Sequence, residues 1–508
     1  MSIQDQSSQS LERRQGYLSR SECLLVLGLS FLFLVFGLLT ATRYPPVWGD
    51  EVQDAERAIN LVSGKGFTTA AHPYVSKDRF GVTTSPVYDL SLAVWLSIAK
   101  VGRLQIRLFN YVVIVLTVLS LWLGVFRLGI VRGKATRLML AAMLLLAQPL
   151  ANVYLNNRYD STGILVLAAM FLAFSLKRRT PRLVLLTFLG LILGLCGFQF
   201  VPYCALPATA ALLLLRRQVL PELIAISIGG IAGLVTLFGV LWYEAAIADC
   251  VHMVNTLRHT LSERLNVLRP FNLLRNDPAT GVLALGMVLA LISSTVRHNV
   301  RMRTTILLGL FFAVSVPVVM VLAGNYTFWY VWMAFVPTAM CAFSALDCMR
   351  DHFKISRILV PILAIVISAR GLPAALGLAL MEWRELDYAR VEQFINQNVS
   401  PNDTAFIADA CYYPVRSKAK QTYVVYYLPS MSAKEKQDVT VAVLSPCQTW
   451  SPKFSPEYLL PSLGGEWVRV ADYSATRSRL RQSIWPFPKE KYVYCLAVYR
   501  RTAVRSPE

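Results

Sequence analysis

Charged side chains make up only 16% of the 508 residues, against 55% hydrophobic ones, and that scarcity excludes an ordinary soluble protein of this length. A mean hydropathy of +0.48 points the same way: much of the chain must have lipid for a solvent. Acidic residues are scarcer than basic ones, 30 against 50, and the resulting net charge of +20 raises the question of a nucleic-acid partner. The distribution answers it. From Met381 onward there are 17 Lys and Arg against 13 Asp and Glu, which leaves +16 in the apolar part, mostly in short loops between apolar runs where the positive-inside rule puts it. Nucleic acid is therefore not an expected partner. The chain also lacks a Gly-rich phosphate loop, an internal repeat and a low-complexity tract. The nine cysteines lack any C-x-x-C spacing, and Cys23, Cys196, Cys204 and Cys341, in or beside apolar runs, read as packing residues. Cys411, Cys447 and Cys495 lie in the polar tail, which has room for one disulfide in an oxidising compartment; the sequence leaves the pairing open.

What is present is a series of long apolar runs. The first, from about Cys23 to Thr42, can cross a hydrocarbon core of about 30 Å, and no small-residue cleavage site separates it from Tyr44-Pro45-Pro46. It reads as an uncleaved first span behind a cytoplasmic segment, 1–21. Further runs begin near residues 106, 136, 161, 183, 201, 219, 279, 305, 329 and 357, about eleven spans in all. The expected fold is a polytopic α-helical membrane protein, with an embedded domain over 22–380 and a soluble α/β domain over 381–508. Pro86 to Val101 is apolar but short. If it crosses, five basic clusters fall on the outer side; if it lies in the interface, all are cytoplasmic, with Ser85 and Pro86 as N-cap and first helical residue. The second arrangement puts five polar regions on the outer side: Arg43 to Gln105, Asn156 to Asp160, Glu244 to Thr280, Gly324 to Phe328, and the tail. In the tail, a helix over Arg384–Asn398 and strands at Thr404–Ala408, Val439–Leu444, Trp467–Tyr473 and Tyr492–Tyr499 are expected.

Two acidic clusters stand where chemistry on a lipid-anchored substrate needs them. Just beyond the first span comes Trp48-Gly49-Asp50-Glu51, followed by Val52, Ala55, Ile59 and Val62 at helical spacing. This predicts an amphipathic helix lying on the membrane, charged face outward, ended by Gly64 and Gly66. Asp50 suits an N-cap, with Gln53 completing a capping box, and it equally suits a general base. The second cluster is Arg158-Tyr159-Asp160 between two spans, where a carboxylate beside hydrocarbon needs a partner such as Arg158. A structural ion pair is the plainer reading. In the loop Glu244 to Thr280, His252 and His259 are most simply solvated, although a histidine there could complete a metal site or meet a phosphate.

Taken in order, these motifs resemble a family. Trp48-Gly49-Asp50-Glu51 with Ala55-Glu56, Thr84-Ser85-Pro86-Val87-Tyr88, Arg107, Arg158-Tyr159-Asp160 and Tyr330 through Pro337 are similar to the GT-C glycosyltransferases of the dolichyl-phosphate-mannose protein mannosyltransferase type, including bacterial aminoarabinose transferases. The likeness covers roughly residues 25 to 345. Thr84 stands where the aminoarabinose branch has Glu, and Gln199-Phe200 where many members have Lys-Gly. The resemblance implies sugar transfer from a polyprenyl-phosphate donor to an acceptor hydroxyl on a lipid, glycan or protein. The implied site has Asp50, Glu51 and Asp160 as catalytic acids and Arg158, Lys77, Arg79 and Tyr330 on the substrate. Asp50, Asp160 and His259 are the side chains available should a divalent cation be required. A bacterial inner membrane, with site and tail facing the periplasm, is the expected location. The competing readings are a transporter or flippase for a lipid-linked glycan, with charges in mid-helix and broken helices in repeated halves, and a non-catalytic assembly subunit indifferent to changes at Asp50 and Asp160.

Overall fold

The computed structural model describes residues 18–72, 80–81, 83, 85–197, 200–256, 277–322, 330–349, 356–447, 452–478 and 492–502. Lys77, Arg79, Thr84, Gln199 and His259 fall outside these residues.

The helices of the apolar part are α1 (Arg20–Ala41), α2 (Gly49–Val62), α3 (Pro86–Ala99), α4 (Arg103–Arg127), α5 (Lys134–Leu146), α6 (Gln148–Leu155), α7 (Asp160–Ala173), α8 (Arg179–Gly194), α9 (Phe200–Leu215), α10 (Leu220–Tyr243), α11 (Ile247–Thr256), α12 (Pro278–Ala290), α13 (Ser294–His298), α14 (Val300–Leu322), α15 (Trp332–Met349), α16 (Ser356–Ser368) and α17 (Leu372–Met381). Five of them (α1, α4, α10, α14 and α15) are each long and apolar enough to cross a membrane, and α5–α6 and α16–α17 reach that length as pairs bent by 45° and 46°. The chain is an integral membrane protein. The other runs expected to span are the shorter helices α7, α8, α9 and α12, of 13 to 16 residues. The bends have local causes. Pro149 in the first turn of α6 has no N–H to give to α5, and Gly371 ahead of α17 lies so close to the backbone of Leu146 to Gln148 that any side chain there would overlap it.

Helix α10 shows how sequence divides lipid from protein. Ile224, Ile228, Ile231, Val235 and Phe238 recur every three or four residues and stand exposed as a lipid-facing stripe. On another face Gly229 lies against the Thr187 and Leu191 backbone of α8, and Gly233 meets Gly194, backbone against backbone. Two small-x-x-x-small pairs give this close approach, which in lipid replaces the hydrophobic drive to association.

Helix α3 spans 14 residues, about 21 Å, too short for a hydrocarbon core. Ser85 and Pro86 open it as the sequence predicts, but the Ser85 hydroxyl makes no capping bond.

Beyond α17 lie α18 (Tyr388–Asn398), β1 (Thr404–Ile407), α19 (Tyr412–Lys418), β2 (Gln421–Val424), α20 (Ala433–Asp438), β3 (Val441–Leu444), α21 (Pro456–Leu463), β4 (Trp467–Thr476) and β5 (Tyr492–Arg501). They form one mixed sheet in the order β2-β1-β3-β5-β4, with β1 parallel to β2 and β3, and β5 antiparallel to β3 and β4. All four expected strands are present. Strand β2, which sequence reading missed, has four residues and runs straight into a 3₁₀ turn. Cys447 and Cys495 are disulfide-bonded, and Cys411 is buried and free.

This tail does not stand apart. Val52, Ala55, Ile59 of α2 and Tyr88 and Leu92 of α3 share one apolar core with Tyr412, Val424 and Tyr427, and the Val424 N–H donates to the Ala70 carbonyl at 3.1 Å. Helix α2 is therefore covered on both faces. Its predicted outward charged face is in fact interior: Glu51, Asp54, Glu56, Arg57 and Asn60 are all buried.

Candidate active site

The site forms where α2 begins. Trp48, not Asp50, is the N-cap residue, and its side chain makes no capping bond, so the N-cap and capping-box reading of Asp50 and Gln53 is corrected. Asp50 lies inside the first turn, where the helix N-terminus favours a negative charge. Its carboxylate turns instead to Arg158, whose Nη1 donates to Asp50 Oδ2 at 2.9 Å.

Arg158 is placed by the turn before α7. Asn157 has φ 52°, a left-handed conformation that asparagine tolerates better than most residues. Its carbonyl accepts from the Tyr88 hydroxyl at 3.3 Å, and its Oδ1 accepts from Asn110 Nδ2 at 3.1 Å. Asn110 Nδ2 also donates to the Arg158 carbonyl, and Asn110 Oδ1 accepts from Ser161 at 2.6 Å. With its backbone fixed from α3 and α4, Arg158 uses Nε for Asp160 Oδ2 at 2.9 Å, Nη1 for Asp50 and Nη2 for the Tyr330 hydroxyl at 3.4 Å. Tyr330 and Tyr159 share a hydroxyl–hydroxyl bond of 2.8 Å. The sequence-expected Asp50, Arg158, Asp160 and Tyr330 thus come together.

Their environments differ. Asp160 is fully buried and Arg158 nearly so, whereas the Asp50 side chain keeps 40% of its surface accessible. The protein around Asp50 removes enough water to raise its pKa above the ordinary aspartate value, and Arg158 opposes that rise. Burial alone would lower the Arg158 pKa, but Asp160, the two tyrosines and Asp50 raise it well above the usual arginine value. Burial pushes the Tyr330 phenol up to about 12.

Glu51 sits differently from its neighbour. It is fully buried; Arg107 of α4 grips it with Nε on Oε1 at 2.9 Å and Nη2 on Oε2 at 2.6 Å, and the Tyr413 hydroxyl adds a bond of 3.1 Å. Arg107 also donates to the Ala41 carbonyl at the end of α1. Glu51 therefore ties α2 to α1, α4 and the tail.

Sequence reading missed Asp54, although one helical turn separates it from Asp50 and that spacing was the available signal. Asp54 is 8% exposed, and its Oδ2 has no hydrogen-bond partner among the described residues. Burial raises its pKa well above the ordinary value; Arg158 opposes the shift and Asp50 adds to it. Nearby, Arg57 pairs with Asp89 at 3.0 Å. From the tail, Tyr426 covers Gly49 so closely that a Cβ there would strike its ring, and its hydroxyl donates to Asp409 at 3.3 Å. Burial pushes the Asp409 carboxyl up to about 6.

Asp50 and Asp160 do not make a cation site together, because the Arg158 guanidinium lies between them and donates to both. Among the described residues, no three His, Cys, Asp or Glu side chains converge as metal ligands.

The sequence matches no family model and no curated protein. The fold does match: ArnT from Cupriavidus metallidurans bound to undecaprenyl phosphate aligns over 97% of this chain and 100% of its own, with a TM-score of 0.58 at 12% identity. The arabinofuranosyltransferase AftD from Mycobacteria aligns over 96% of this chain and 40% of its own, with a TM-score of 0.49 at 12% identity. The Archaeoglobus fulgidus oligosaccharyltransferase aligns over 89% and 72%, with a TM-score of 0.45 at 12% identity. The chain has an ArnT-like fold.

Proposed function

We propose that the chain is a membrane glycosyltransferase that moves a sugar from a polyprenyl-phosphate donor to an acceptor hydroxyl, with Asp50 as general base. The observation that carries this reading is the contrast among the acids: Asp50 is open to a substrate, while Glu51, Asp54 and Asp160 are buried.

The acceptor O–H gives its proton to Asp50, most simply at Oδ1, since Oδ2 is held by Arg158. The freed oxygen electron pair bonds to the anomeric carbon as the bond from that carbon to the phosphate oxygen breaks, and the polyprenyl phosphate leaves with those electrons. A pKa raised by burial makes Asp50 a better proton acceptor than an ordinary aspartate. Arg158 and Asp160 position Asp50 as a rigid unit, and Glu51 anchors the helix that carries it. The exposed apolar helix faces supply the bilayer in which a polyprenyl donor dissolves, with its phosphate at headgroup level. Tyr330, with Lys77 and Arg79, is assigned to the donor phosphate. The Cys447–Cys495 disulfide supports an oxidising, extracytoplasmic side for the tail and hence for the site it covers, as in a bacterial inner membrane.

The test is transfer from a radiolabelled polyprenyl-phosphate sugar pool in membranes carrying wild type or Asp50→Asn at matched expression. Transfer by wild type, reduced by three orders of magnitude or more in the variant, is expected, and the labelled product names the acceptor. Equal transfer by both removes Asp50 from the chemistry; no transfer by wild type across a broad donor panel favours a transporter.

A further inference from the structure

A cavity of about 220 Å³ lies along α6, and neither Asp50 nor Arg158 lines it. Tyr44 and Pro45 after α1, Gln148, Asn152 and Asn156 along α6, and Arg370 before α17 line it. It is smaller than a usual whole-ligand pocket, and so suits a headgroup rather than a complete amphiphile.

Three features give it chemistry. Arg370 interrupts the apolar α16–α17 pair, and its guanidinium makes no hydrogen bond or ion pair among the described residues. An arginine inside a span needs an anion, water or the interface, and this one lines the same cavity as Tyr44 and Asn156, which lie at span ends. Gln148 places a buried side-chain oxygen there that also lacks a partner among the described residues. Below Arg370, α16 exposes Ile362, Ile365 and Val366, a surface fit for acyl chains. A cation, an unused acceptor and an adjoining greasy face together describe an amphiphile with an anionic head that also carries a hydrogen-bond donor.

We propose that this cavity binds the headgroup of a phosphodiester lipid bearing a hydroxyl or amine, with Arg370 taking the phosphate and Gln148 the headgroup donor. The site is distinct from the Asp50–Arg158 centre and does not depend on the transferase reading. The Trp48 Nε1 contact to the Asn156 carbonyl, 3.3 Å, joins the segment before α2 to the end of α6.

The full chain, purified in detergent, is titrated with phosphatidylglycerol and bound lipid is read by native mass spectrometry. Wild type and Asp50→Asn are expected to hold the lipid equally, Arg370→Met to bind it at least tenfold more weakly, and Arg370→Lys to keep most of the affinity. Gln148→Leu is expected to weaken phosphatidylglycerol but not phosphatidylcholine, which has no headgroup donor. Unchanged binding by Arg370→Met overturns the proposal, as does equal loss in Arg370→Lys, which would point to damaged folding rather than a missing charge. Competition by soluble glycerol 3-phosphate at the lipid's own concentration would make the ligand a free phosphate and overturn the lipid assignment.

Discussion

At the scale of residues, Asp50 and Glu51 are adjacent in sequence but opposite in circumstance, and substitution separates them. Removing the carboxylate in Glu51→Ala leaves Arg107 buried without its partner, a loss of about 3–5 kcal/mol by analogy with broken buried pairs. Glu51→Ala is therefore expected to fold poorly and be recovered in low yield, whereas Asp50→Asn melts near wild type but is inactive; thermal denaturation beside transfer assays distinguishes them. Acidity gives a second expectation. In the proposed role Asp50 acts as a base only when ionised, and its pKa stands above the ordinary aspartate value, with Arg158 opposing the rise. Activity should thus fall as pH drops through that raised pKa, and Arg158→Gln should move the acid limb of kcat/KM to higher pH. An unmoved limb would dissociate Arg158 from Asp50.

At the scale of elements, α2 is the part that the sequence described least completely. Its limits, its apolar stripe and its terminating glycines follow from local pattern, because Val52, Ala55 and Ile59 obey helical spacing and Gly64 and Gly66 adopt positive φ. The fate of its polar side chains does not follow, because Glu51 is met by Arg107 and Tyr413 and Asn60 by Arg416, and no window of sequence contains these partners. The meeting of Asp50 with Asp160 was legible for a different reason: charge bias in the loops fixes which span ends share a side, and that parity needs no side-chain detail. Gly49 offers a test of the cover on α2. Gly49→Ala puts a methyl group into the Tyr426 ring and should lower both stability and activity; Gly49→Ala with Tyr426→Ala should recover stability, measured by thermal melting. Asp409 gives a pH signature. Its carboxyl is raised to about 6 in the fold, so it penalises the folded state as pH rises from the unfolded value near 4 to 6, and the penalty persists above that. Asp409→Asn, which keeps an acceptor for Tyr426, should melt higher than wild type at pH 7.5 and like it at pH 4.

At the scale of the whole molecule, short helices and bent pairs make the span count depend on packing. The eleven apolar runs of the sequence are all helical, but α5–α6 and α16–α17 bend where they touch, at Leu146–Gln148 and Gly371. A side chain at 371 would push these breaks apart, so Gly371→Val should destabilise the molecule more than Gly377→Val, where a Cβ meets nothing; detergent-resistant melting of the two variants measures the difference. The sheet domain is likewise legible in four of its five strands and opaque in its docking, since the shared core with α2 and α3 joins residues that no local signal relates.

That docking sets an order of events during synthesis. Glu51 and Tyr413 bond across 362 residues of chain, so the helix bearing Asp50 leaves the ribosome long before the segment that encloses it. Until β2 and the turn bearing Tyr426 have been made and have folded back onto Ala70 and Gly49, its buried acids have no roof. A nascent chain that stops before the sheet domain therefore holds the described spanning helices and still lacks the contacts that enclose Gly49 and Glu51.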